Sequence, residues 1–166
     1  MATPTYTAIA TTTLASSASS VTFSSIDQSY GDLVLVLEFE HDTTNTTATV
    51  QFNNDTGNNY TYVYMFGDGS DGSGNSSGSF FFLPQFNSKS NEPVLAVLQI
   101  MDYSATDKHK TILNREGSTR DFNNNRQTSA FAGRYASTSG ITSIQIDMRS
   151  GNLNSGSTFS LYGIAK

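Results

Sequence analysis

With 166 residues, no cysteine, no tryptophan and a formal charge of −5, the chain is excluded from thiolate zinc centres, cysteine nucleophiles and disulfide-stapled scaffolds. Only 14% of its residues are charged, against about 25% in ordinary soluble domains, and the scattered Lys and Arg form no basic tract that could displace counterions from a nucleic acid. No apolar run approaches the roughly 20 residues of a membrane-spanning helix, and "MATPTYTAIATTT" lacks the basic-then-apolar order of a secretory leader, so neither is expected.

The dominant hydrophobic period is two. "TYTAIATTTL" (Thr5 to Leu14) and "SSVTFSSI" (Ser19 to Ile26) are rich in β-branched residues and read as strands. "DLVLVLEFEHD" follows. Leu33, Leu35, Leu37 and Phe39 share one face, while Val34, Val36, Glu38 and Glu40 share the other, which turns from apolar to acidic along its length. That pattern predicts a central strand whose second face is buried only at its start.

"TATVQFN" and "NYTYVYMFG" flank the turn "NNDTG" and read as a hairpin, with Tyr60, Tyr62, Tyr64 and Phe66 alternating against Thr61, Val63 and Met65. "GDGSDGSGNSSGS", residues 67–79, then reads as a long flexible Gly/Ser/Asp loop before "SFFFLP". The later strands are Pro93–Ser104, His109–Glu116, Thr128–Ser137, Ile141–Ser150 and Ser157–Lys166, separated by turn clusters such as "STSG" and "GNLNSG". "EPVLAVLQIMDYS" could place Leu95, Leu98 and Met101 on a helical face, but Pro93 and the density of Val and Ile favour a strand. Short strands at this spacing predict one all-β domain over residues 1–166, a β-sandwich or a barrel.

Candidate chemistry is sparse. An EF-hand needs alternating oxygen ligands closed by a Glu at the twelfth position, whereas Asp68 and Asp71 are three apart with no Glu after them, so no metal site is expected. The glycines near them lack the Gly-Lys-Ser/Thr of a phosphate loop. His41 and His109 read as surface residues at strand ends. Glu38 and Glu40 share one face and cannot flank a substrate, and Asp102, Glu116 and Asp147 stand singly on other strands. No Ser-His-acid order stands out, so no enzyme activity and no cofactor are expected.

The Tyr60, Tyr62, Tyr64 row has two readings: a sugar-stacking platform, or packing into the core or a neighbouring subunit, with packing favoured. Phe80, Phe81 and Phe82 cannot all point to one side of a strand. They mark a subunit interface, a cover over a sheet edge, or a strand buried on both faces. These six aromatics are the candidate interface residues.

Several ordered pieces carry a family look. Leu14, Ser16, Ser19, Val21, Thr22, Phe23 and Ile26 give "L-x-S-x-x-S-x-V-T-F-x-x-I", and Tyr30, Asp32, Leu33 and Leu35 give "Y-x-D-L-x-L". Phe52, Asn53, Asp55, Gly57, Asn59 and Tyr60 give "F-N-x-D-x-G-x-N-Y". Gly156, Ser157, Phe159, Leu161, Tyr162, Gly163 and Ile164 close the chain with "G-S-x-F-x-L-Y-G-I". In this order they resemble a family of small virion proteins of tailed bacteriophages, common among cyanophages and other aquatic phages.

The resemblance implies a jelly-roll-like sandwich and a structural virion component, with no catalytic residues. Two roles are implied: a head decoration (cement) protein that bridges subunits of the major capsid protein, or a tail-fibre or accessory tail module that binds a host glycan or receptor. The expected location is the phage particle, after synthesis in the host cytoplasm. The chain carries no coiled coil or β-prism for fibre attachment, which favours decoration, as a homo-oligomer with a trimer preferred. Residues 67 to 126 depart most from the family pattern.

Overall fold

The computed structural model describes residues 4–67, 71–83, 89–119 and 127–166. The strands are β1 (Tyr6–Thr13), β2 (Ser20–Phe23), β3 (Asp32–Phe39), β4 (Ala48–Phe52), β5 (Tyr60–Gly67), β6 (Asp71–Gly78), β7 (Phe81–Phe82), β8 (Val94–Met101), β9 (Lys110–Ser118), β10 (Gln127–Tyr135), β11 (Ile144–Met148) and β12 (Thr158–Ile164). They form an eight-stranded sheet, β1-β12-β3-β8-β9-β10-β5-β6, and a four-stranded sheet, β2-β11-β4-β7. Every pairing is antiparallel. The described residues contain no helix, and the fold is the expected antiparallel, jelly-roll-like β-sandwich.

The core lies between the sheets. Leu33, Leu35, Leu37 and Phe39 of β3 point into it, joined by Ala96, Leu98 and Ile100 of β8 and by Phe159 and Leu161 of β12. The small sheet answers with Val21, Phe23, Val50, Phe52, Ile144 and Ile146. On the far side of β3, Val34 is buried, Val36 half-buried and Glu38 exposed, so the second face is covered only at the strand's start, as the alternation predicts. Residues 94–101 form a strand and not a helix.

Two local expectations are corrected. "TATVQFN" and "NYTYVYMFG" are not a hairpin: β4 pairs with β11 and β7 in the small sheet, whereas β5 pairs with β10 and β6 in the large one. The turn is an arch between layers. Asn53 and Asn54 take positive φ (54° and 52°), a conformation that asparagine tolerates better than most residues. The Asp55 carboxylate accepts from the Gly57 N–H (2.8 Å) and Asn59 Nδ2 (2.9 Å). The Tyr60 hydroxyl then reaches back to the Phe52 N–H at 3.0 Å, tying the two ends of the arch together.

The second correction concerns residues 67–79. Within the expected flexible loop, Asp71–Gly78 is strand β6, paired along its length with β5 from Tyr60↔Gly78 to Gly67↔Asp71. The aromatic side chains of β5 explain the composition. A Cβ at Gly72 would lie 2.2 Å from the Phe66 ring, and one at Gly74 would lie 2.6 Å from the Tyr64 hydroxyl. These positions have no room for a side chain while the rings stay in place. Asp68 lies outside the described residues, as does the Asp71 side chain, and with them the question of an ion there.

Candidate interaction face

The structure separates the six candidate aromatics. Tyr60, Tyr62 and Phe81 are core residues. The Tyr60 ring lies 4.9 Å from that of Tyr135 and 5.1 Å from that of Phe81, and Tyr62 packs 5.3 Å from Phe131. Burial pushes the Tyr60 phenol well above its ordinary range and that of Tyr135 to about 12, so both stay protonated. These three side chains therefore form neither a subunit contact nor a sugar platform: the inner face of β5 is covered by β7 and β4. Tyr64, Phe80 and Phe82 are half-buried. Phe80 meets Phe82 edge to face at 4.9 Å, and Arg149 lies 5.1 Å over the Phe82 ring.

The solitary acids do not converge. Glu38 lies on the outer face of the large sheet, Glu116 on its inner face, and Asp147 on the outer side of the small sheet. Asp102 sits after β8 and pairs with Lys108 at 3.5 Å. Glu116 is buried, accepting from Ser129 Oγ at 2.6 Å and Asn114 Nδ2 at 3.1 Å. Among the described residues, no group of three His, Cys, Asp or Glu is placed to hold a metal ion.

His41 is corrected from surface to interior. It is 1% exposed, and its Nδ1 lies 2.8 Å from the Thr43 carbonyl. A carbonyl can only accept, so Nδ1 carries the proton and Nε2 is left buried with no partner among the described residues. Burial holds its pKa below the ordinary 6.5, although the Thr43 bond and the nearby Asp42 and Glu40 charges oppose the shift.

What the sequence reading missed is the other side of the large sheet. All six exposed large hydrophobic side chains among the described residues lie on its outer face: Tyr6, Val63 (63% exposed), Met65 (65%), Leu95 (53%), Met101 and Leu113. Strand alternation puts them there, because their neighbours Tyr62, Tyr64, Ala96, Ile100 and Ile112 point inward. The available signal was an apolar residue on both faces of one strand, as in "VLAVLQIM" and "TIL".

Between these side chains the face is grooved. Ala130 and Ala132 of β10 form the floor, with Val63 and Met65 of β5 on one side and Leu113 and Arg115 of β9 on the other. The spaces over them are about 760 Å³ beside Met65, Arg115 and Ala130, and about 520 Å³ between Val63 and Leu113. Small side chains flanked by long ones create the grooves. Ala130 and Ala132 keep the floor apolar, and Arg115 lines both grooves; among the described residues neither it nor Arg134, farther along β10, makes an ion pair. Exposed apolar side chains gathered over grooves floored by small residues are a feature that contact surfaces share.

No family model and no curated protein matches the chain. Among solved structures, it is similar to Caenorhabditis elegans galectin LEC-6, with 9% identity, a TM-score of 0.36, and coverage of 94% of this chain and 96% of that one. It is also similar to the tripod (BppUct-A-L) from the baseplate of bacteriophage Tuc2009, with 12% identity, a TM-score of 0.25, and coverage of 89% and 58%. A third is the CBM2 module of the evolved Dit of Lactobacillus casei BL23 phage J-1, with 13% identity, a TM-score of 0.26, and coverage of 89% and 69%. Two of these three are phage proteins. At such scores none of them assigns a role to a residue here.

Proposed function

We propose that this chain is a non-enzymatic structural component of a tailed-phage particle, packed into the assembly through the outer face of its eight-stranded sheet. The observation that carries the packing is the gathering on that face of all six exposed large apolar side chains among the described residues, above grooves floored by Ala130 and Ala132. The phage assignment rests on the ordered motif set from Leu14 to Ile164. Within it, capsid decoration is the favoured role: the domain would sit on the major capsid protein and tie neighbouring subunits together. Contacts made by apolar area and neutral hydrogen bonds would be only weakly sensitive to salt.

The test is location and copy number in the purified particle, by quantitative mass spectrometry and immunogold labelling. Many copies spread over the head are expected. A few copies confined to the tail would overturn decoration.

A second reading places the chain on the tail as a binder of host glycan. It is favoured by a groove of about 480 Å³ rimmed by Thr61, Asn75, Ser77 and Arg134, polar groups suited to sugar hydroxyls. It no longer draws on Tyr60 or Tyr62, which are buried. Retention on a host-glycan array, abolished by Asn75→Ala and Arg134→Ala, is the outcome this reading requires.

A further inference from the structure

We propose that the outer face of the large sheet is occupied by the same face of a second copy of this chain, the two related by a two-fold axis running along the strands. This rests on the reading above that the face is a packing surface, and it names the partner.

The charge on this face is divided. β9 and β10 carry Arg115 and Arg134 outward, while β3, two strands from β9 and three from β10, carries Asp32 and Glu38 outward. The pairing registers fix their heights. Leu33↔Ile100, Met101↔Thr111 and Thr111↔Arg134 place Asp32, Met101, Thr111 and Arg134 in one row across the sheet. Glu38↔Leu95, Leu95↔Gly117 and Gly117↔Thr128 form another row.

A two-fold rotation about an axis parallel to the strands, lying between two such faces, keeps each row at its height and reverses the strand order. With the axis between β8 and β9, β3 of one copy lies over β10 of the other, and β8 lies over β9. Asp32 then faces Arg134 of the second copy, twice by symmetry. Glu38 falls one strand and one row from Arg115, within the reach of an arginine side chain. The apolar positions also fit. Leu95, which is 53% exposed, stands over Gly117, where an added Cβ would meet nothing nearer than 3.9 Å. Val63 of β5 stands over Tyr162 of β12.

The contact is isologous and closed, as most soluble homo-oligomers are. Sheets stacked with their strands aligned within about 30° pack well, and this axis meets that condition. The sequence reading preferred a trimer, but the register fits a two-fold pair.

The experiment is light scattering and sedimentation on the full-length chain. A particle of twice the 17.9 kDa monomer mass is expected. Arg134→Asp alone and Asp32→Arg alone should each raise the dissociation constant about tenfold or more, because each sets like charges against one another. The double exchange should restore the pair, which a mere folding defect would not do. Leu95→Lys should also separate the copies, and its thermal midpoint should match that of the parent chain measured at concentrations where the parent is monomeric. A monomer at concentrations up to roughly 100 µM, or a dimer indifferent to all four variants, overturns the proposal. If the chain is monomeric and Leu95→Lys still blocks entry into the particle, the face packs against a different protein: the packing reading stands and the second-copy assignment fails. If Leu95→Lys enters the particle normally, the packing reading itself fails.

Discussion

Gly133 lies directly beneath Phe81: a Cβ at Gly133 would stand 2.7 Å from Phe81 Cε1 and 3.2 Å from Tyr62 Cβ. The glycine of β10 thus forms the seat for the one phenylalanine of "SFFFLP" that enters the core. Phe81 in turn meets Tyr60, Tyr62, Phe52 and Phe131 at ring separations of 5.1 to 5.9 Å. This seat joins the short strand β7 to the large sheet. Gly133→Ala should therefore destabilise the fold by about 1–3 kcal/mol, the usual cost of overpacking a filled core. Urea denaturation would measure it, and an unchanged midpoint would show that the aromatic cluster has slack.

Lys110 is fully buried, and its Nζ donates to three backbone carbonyls: Ala105 at 2.5 Å, Lys108 at 3.1 Å and Ser137 at 3.3 Å. The ammonium gathers the turn before β9 and the segment after β10. Lys110→Met keeps much of the aliphatic stem but leaves those carbonyls without this donor. A loss of about 1–3 kcal/mol is expected, together with faster amide exchange in residues 102–109. Exchange as slow as in the parent chain would contradict this.

His41 should make the fold sensitive to mild acid. Above its ordinary pKa of 6.5 the imidazole is neutral in both the folded and unfolded chains and has no effect on the pH dependence. Its folded pKa is depressed, so as pH falls below 6.5 the unfolded chain takes up a proton that the folded chain refuses. Stability should then fall by up to about 1.4 kcal/mol per pH unit until the folded pKa is reached. Asp42 and Asp55 also have lowered pKa values, but their ordinary value is 3.8, so their losses begin at more acid pH. Thermal midpoints between pH 7.5 and roughly pH 5 should fall in the parent chain and flatten in His41→Leu. Parallel curves would assign the slope to other groups.

Asp55 holds the arch between the sheets. Its carboxylate accepts from Gly57, from Asn59 and from the Tyr135 hydroxyl at 2.9 Å. Burial raises its pKa, but the bonds from Asn59, Gly57 and Tyr135 outweigh that and leave it below the ordinary value. Asp55→Ala should cost about 1–3 kcal/mol and lower the phenol pKa of Tyr135, which loses an adjacent negative charge. Tyrosine absorbance titration would report the second effect independently of stability.

The outer face should respond in the opposite way. Met65→Lys and Leu113→Lys replace exposed side chains and should change the stability of the isolated monomer by no more than about 0.5 kcal/mol. Both should nonetheless reduce incorporation into the particle several-fold, measured by competition with the parent chain. Equal incorporation would remove the grooves from the assembly contact.

The alternation in "DLVLVLEFEHD" was enough to identify β3, its buried face and the point where its second face opens to solvent, because strand geometry sends successive side chains to opposite sides whatever the neighbours are. The same rule separated Tyr60 and Tyr62 from Val63 and Met65. It could not say which side of β5 met the core. Nor could it say that β4 and β5 lie in different sheets, since a turn with Asn at positive φ serves an arch as well as a hairpin. Strand β6 was invisible for a related reason: its glycines are fitted to the Phe66 and Tyr64 rings of a neighbouring strand, a constraint that exists only after pairing. The chain's own alternation thus determined the strands and their two-sidedness. Only the tertiary structure decided which side is covered, because burial depends on what the opposite sheet reaches. The small sheet has four strands and covers only the inner face, which leaves Val63, Met65, Leu95 and Leu113 facing outward together.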